Sequence, residues 1–102
     1  MFRVAGYIEL KPGGFERVRA AGITMVETTL AEEGCIDYSF ASDIINPDLI
    51  RISEGWASEE AMATHSASDH MKAFNRAIGA EGLVAGDLKL YSATEVKQLL
   101  KV

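Results

Sequence analysis

Cysteine and tryptophan each occur once in this chain, and proline and histidine twice each. A single cysteine excludes an internal disulfide. The longest apolar run is only a few residues, far short of the roughly 20 needed to span a bilayer as a helix. Ten Lys and Arg against fifteen Asp and Glu give a net charge of −5, and the basic residues are scattered singly. With no basic stripe there is nothing to meet a phosphate backbone, so nucleic acid is not an expected partner. The opening M-F-R-V-A-G-Y-I-E-L alternates and carries a glutamate, which does not read as a signal peptide. The expectation is a cytoplasmic, disulfide-free protein without a membrane partner.

What is there is an ordinary globular composition, 48% hydrophobic and 25% charged over 102 residues. That length reads as one domain, 1–102, with a single core. Little is left for a deep private pocket, so a sizeable ligand site is expected to borrow walls from a second subunit.

Phe2 to Leu10 alternates with period two, Phe2, Val4, Gly6, Ile8 and Leu10 on one face, and predicts a strand. Lys11-Pro12-Gly13-Gly14 breaks it. Phe15, Val18, Gly22, Met25 or Val26, Thr29 and Leu30 then recur as one stripe of an amphipathic helix. Gly34 stands where a left-handed residue would close the helix. Cys35 to Ile45 is extended in character, with Ile36, Tyr38, Phe40 and Ile44 on one face. Asn46-Pro47-Asp48 signals a turn, and Leu49 to Trp56 returns as a third strand, the two forming a hairpin. Ser58 caps a new helix whose start carries Glu59 and Glu60. Ser66-Ala67-Ser68-Asp69 lowers helix propensity and predicts a bend, with Ser68 capping a second piece that carries Met71, Phe74 and Ile78. Asp87 to Ala93 reads as the last strand and Thr94 to Lys101 as a short terminal helix. The order βαββαβ predicts a ferredoxin-like α+β fold, an antiparallel sheet with helices on one face. The other face, carrying Ala5, Tyr7, Ala41, Gly55 and Tyr91, is left open for a second sheet, which predicts a homodimer.

The only Trp and both His lie within fifteen positions, Trp56 to His70. Around them stand Gly34-Cys35 followed by Tyr38, Glu54-x-Trp56, Ser58-Glu59-Glu60-Ala61, then His65, Ser68, His70 and Phe74. In order and spacing, on a βαββαβ chain, these residues resemble the antibiotic biosynthesis monooxygenase (ABM) family of the dimeric α+β barrel superfamily. The resemblance implies a homodimer with two sheets packed face to face into a barrel, each protomer keeping a pocket between sheet and helices. It also implies oxidation of a quinol, anthrone or other polyphenol by O2 without flavin, haem or metal. Fold follows from such a likeness more firmly than reaction does.

Triplet O2 reacts slowly with closed-shell molecules unless something donates an electron, and a phenolate donates far more readily than a phenol. Such a site needs a base working near neutral pH, an aromatic wall for a flat ring, and exclusion of bulk water. His65 is the first candidate base. Glu54, on the same strand face as Trp56, is a candidate to orient a histidine, to be the base itself, or simply to lie at the dimer seam. Arg76 is a candidate for stabilising a developing oxyanion. Trp56, Tyr38, His70, Met62 and Phe74 are candidate substrate contacts. Trp56 and Arg76 fall at positions similar to those one anthrone-oxidising branch uses. The polar residues which that branch places four before and six after the Trp are Ile52 and Met62 here.

Blander roles remain beside these. Trp56 can be core, His65 a hydrogen-bonded helix residue, His70 part of a helix cap with Ser68, and Cys35 a small buried hydrophobe. No metal is expected, since His65 and His70 are five apart, off the i, i+3 or i+4 spacing of ligands on one helical face, with no third ligand nearby. The haem-degrading relatives use an Asn, a Trp and a ligating His where this chain has Gly6, His65 and Asn75, so no haem is expected. A barrel that binds an aromatic metabolite without catalysis, or an isomerase or cyclase using the same base without O2, are the alternatives.

Overall fold

The computed structural model describes residues 1–102. Its elements are β1 (Phe2–Leu10), α1 (Gly14–Leu30), β2 (Cys35–Ser42), β3 (Leu49–Trp56), α2 (Glu59–Ser66), α3 (Asp69–Glu81) and β4 (Leu83–Ser92). One antiparallel sheet has the order β2-β3-β1-β4, the ferredoxin-like arrangement. The alternation in β1 decides its faces: Val4, Ile8 and Leu10 are buried with Ile50, Ile52 and Trp56 of β3 and with Val18, Met25, Phe74 and Ile78 of the helices. Arg3, Ala5 and Tyr7 point the other way, opposite Gly55, Ser53 and Arg51.

Local chemistry closes each element. The N-terminus of α1 has no side-chain cap of its own. Asp48 in the hairpin turn fills that place, accepting from the backbone N–H of Gly13 and Phe15 at 3.0 and 3.1 Å and setting a carboxylate at the positive end of the helix. Ser58 accepts from Ala61 N–H and Ser68 from Met71 N–H, so the helical stretch is two capped pieces, α2 and α3. Gly34, at φ 83°, is left-handed as expected, but it does not close the helix: α1 ends at Leu30 with Ala31 as its cap, and Gly34 instead turns the chain into β2. A Cβ there would stand 2.6 Å from that of Ala61, and Gly34 C=O accepts from Ala57 N–H at 2.8 Å. This turn therefore locks the end of α1 against the start of α2.

Four local expectations are corrected. The pairing of β2 with β3 shifts register between Cys35 and Asp37, a bulge that leaves Ile36 as the extra residue. Cys35, not Ile36, therefore packs against the core, and Ile36 is exposed. Ile44 lies beyond the strand and is exposed, because the Asp43 carboxylate accepts from Ile45 and Asn46 N–H and starts the turn early; those bonds also hold its pKa below the ordinary value. β4 begins at Leu83, four residues ahead of Asp87, since Gly86 and Ala85 pair with Ile8 and Glu9 despite their low strand propensity. Thr94 to Lys101 is not a helix. Its Val96, Leu99 and Leu100 are exposed, and an isolated eight-residue segment with no surface to pack on does not meet the cost of helix nucleation.

Candidate functional site

His65 is the one buried residue of α2, 1% exposed. Helical spacing turns it toward the sheet, where its ring lies between Trp56 of β3 (centroids 4.9 Å apart) and Tyr38 of β2 (5.2 Å, edge-on). Trp56 is completely buried, and its indole N–H donates to Glu54 Oε1 at 2.9 Å. Burial raises the Glu54 carboxyl above its ordinary pKa, an effect the Trp56 hydrogen bond and nearby His65 partly offset. Glu54 therefore belongs to the inner face and not to an open sheet seam.

The acid that holds the histidine is not Glu54 but Glu32, from the turn after α1. Its Oε2 lies 2.7 Å from His65 Nδ1 and 3.2 Å from His70 Nε2. Ser68 Oγ also lies 3.3 Å from His70 Nε2. Because Ser68 donates its own proton to His65 C=O at 2.6 Å, the serine accepts and His70 Nε2 carries the hydrogen. His65 Nε2 is buried with no hydrogen-bond partner. Sequence reasoning missed Glu32, although a carboxylate just past a helix C-terminus sits badly with the helix dipole and so marks a residue in want of a donor.

This cluster also corrects the expectation that no third ligand stands near the two histidines. Atoms of Glu32, His65 and His70 lie within 4.8 Å of one another, a pair of imidazoles and a carboxylate able to hold a divalent ion such as zinc. Two details fit it poorly. The 2.7 Å contact between Glu32 and His65 is a hydrogen-bond distance. A metal on His65 Nδ1 would put the proton on the buried Nε2, which lacks the acceptor that ligating histidines normally have behind them.

Beside the cluster a cleft of about 420 Å³ runs between α1 and the β2 edge, with walls from Phe15, Val18, Val26, Tyr38, Phe40 and Phe74 and with Arg19 and Glu27 also lining it. Phe40 and Phe74 stack at 5.1 Å. Tyr38 is the shared wall, lining the cleft and packing edge-on against His65. Burial first, then the Glu54 and Glu32 carboxylates, push its phenol well above the usual range, so it stays protonated. Cys35 is likewise held as a thiol by burial and by the Glu32, Asp37 and Glu54 carboxylates.

The candidate residues thus divide. Tyr38 and Phe74 line the cleft; His65, Glu54 and Trp56 lie buried behind Tyr38; His70 and Met62 are partly buried at the edge of the cluster. Arg76 is not brought in. It is exposed on α3, two residues and about 200° round the helix from buried Phe74.

Residues 1–77 match the antibiotic biosynthesis monooxygenase family. The uncharacterized protein sll1783 of Synechocystis sp. is 28% identical over 96 residues, 94% of this chain; the chain spans 65% of that relative's length. A candidate antibiotic biosynthesis monooxygenase from Deinococcus radiodurans superposes with a TM-score of 0.89 at 22% identity, covering 99% of this chain and 100% of its own. A conserved protein from Methanosarcina mazei Go1 gives 0.82 at 27% identity, covering 91% and 92%. The 22% likeness speaks to the fold alone.

Proposed function

The chain belongs to the antibiotic biosynthesis monooxygenase family, and from that premise we propose that it is a cofactor-independent monooxygenase oxidising a quinol, anthrone or related polyphenol with O2. The observation that carries this reading is a buried, acid-paired imidazole with a free nitrogen, one aromatic ring away from an apolar cleft. The cleft volume suits a small flat molecule, and the Tyr38, Phe40 and Phe74 rings suit its faces. A phenolic substrate entering at Tyr38 reaches His65 Nε2 once that ring turns aside. Neutral His65 takes the phenol proton, the phenolate gives one electron to O2, and the two radicals combine at carbon. For an anthrone the balance closes on its ring methylene: that carbon and one O2 give a carbonyl and one water. One oxygen atom enters the product and the two methylene hydrogens leave with the other, so no external reductant is needed.

The test is O2 uptake with a panel of quinols and anthrones from pH 5 to 9. His65→Gln loses roughly 10²–10⁴-fold at every pH where the wild type turns over, the usual worth of a positioned acid–base group. Normal turnover by His65→Gln would make the histidine structural and leave Glu54 as the next base. The second reading, a non-catalytic barrel holding an aromatic metabolite or one catalysing isomerisation or cyclisation, is favoured by one fact: His65 is 1% exposed behind Tyr38. No oxidation of any substrate in the panel would support it.

We also infer that two copies pair through the open sheet face. Tyr91 of β4, paired with Arg3, is exposed on that face. The face is not only small and aromatic: Arg3 makes a two-bonded ion pair with Asp37 and also donates to Ser53 across it. Sedimentation should give a dimer at micromolar concentration, and a stable monomer would overturn the pairing.

A further inference from the structure

We propose that Glu32 is the positioning residue of this site: it fixes His65 as the Nδ1–H tautomer, so that the lone pair lies on the unpartnered Nε2. This deepens the monooxygenase reading and rests on it for its catalytic meaning. Only a proton on Nδ1 makes the 2.7 Å approach of Glu32 Oε2 favourable; a lone pair there would face a carboxylate oxygen at contact distance. A neutral imidazole carries one N–H and one acceptor, so fixing the first fixes the second. The acceptor then stands buried beside the Tyr38 and Trp56 rings, with no hydrogen bond within the chain to break before it takes a proton.

Glu32 is itself held by a second histidine and by the turn that carries it. His70 Nε2–H donates to the same oxygen, Ser68 accepts from that same ring nitrogen, and Gly34 pins the turn that carries the acid to the start of α2. The other ionisable groups facing the cluster are Glu54, Tyr38 and Cys35 from the sheet, and Glu33 and Glu60 at the rim of the recess beside Glu32. Glu54 spends its Oε1 on Trp56, and the thiol and phenol stay protonated. Among these groups Glu32 alone is hydrogen-bonded to the His65 ring.

The experiment reads the ring directly. Long-range ¹H–¹⁵N spectra of imidazole-labelled protein at pH 8 distinguish the two neutral tautomers. Wild type should show His65 with Nδ1 protonated and Nε2 bare, and Glu32→Ala should give a mixture. In the O2-uptake assay Glu32→Ala should lower kcat by up to roughly 10⁴-fold, the scale on which a misplaced histidine proton costs a catalytic triad. KM should change little, because the cleft walls are untouched. An Nε2–H tautomer in wild type would overturn the assignment without any variant, as would a Glu32→Ala protein with unchanged tautomer and kcat. If no substrate in the panel is oxidised, the monooxygenase reading fails while the spectra still decide whether Glu32 sets the tautomer.

Discussion

Replacing Trp56 by Phe should cost the fold far more than one shortened side chain suggests. Trp56 is fully buried, so the smaller ring leaves a partly filled space, a core change of ~1–2 kcal/mol. Its indole N–H is also the one donor to the buried Glu54 carboxylate. A buried acceptor stripped of its donor adds ~1–3 kcal/mol, for a total of ~3 kcal/mol, a large part of the stability of a domain this size. The two parts separate by pH. The indole bond holds the Glu54 pKa down against burial, so its removal penalises the ionised carboxylate more than the neutral acid. Urea unfolding of wild type and Trp56→Phe should show a larger difference at pH 8 than at pH 4.5. In a Glu54→Gln background the difference should shrink by about 1 kcal/mol, the coupling of a contacting pair. A cost below ~1 kcal/mol that is equal at both pH values and in both backgrounds would refute the claim that the indole supports a buried charge.

Glu54→Gln alone should stabilise the protein increasingly as pH rises. Because burial raises the folded pKa of Glu54, the unfolded chain loses that proton first, so the wild-type contribution falls from the ordinary carboxylate range up through the folded value; a pH-independent difference between the two proteins would sink this. Gly6 is at φ 152°, and a Cβ there would lie 1.9 Å from Asp87 C=O, so Gly6→Ala should cost on the order of 3 kcal/mol or more by displacing β4. Gly79, inside α3 with open space around it, should instead gain about 0.5–1 kcal/mol as Ala, and the pair of urea midpoints moving in opposite directions is the check. Ser68→Ala removes the α3 cap and should lower stability by ~1 kcal/mol; an unchanged melting temperature would mean that the cap is replaceable.

Much of the architecture was legible in local chemistry. Alternation in Phe2–Leu10 and Leu49–Trp56, the Asn46-Pro47-Asp48 turn and the serines before α2 and α3 each act within a few residues, and each appears where the pattern put it. The clustering of Trp56, His65 and His70 likewise pointed to one region. Tertiary structure alone decided matters that depend on distant partners. The bulge that exchanges Ile36 for Cys35 exists only in the pairing with β3. The early start of β4 is a consequence of pairing with β1, which propensity around Gly86 does not reveal. Above all, Glu32 and His65 are 33 residues apart. Their contact needs the Gly34 turn, the packing of α2 on the sheet and the break at Ser68 to hold at once. A sequence displays the donors and acceptors a chain owns. Which carboxylate meets which imidazole is settled by packing, because a hydrogen bond across a few ångströms carries no trace of its length along the chain.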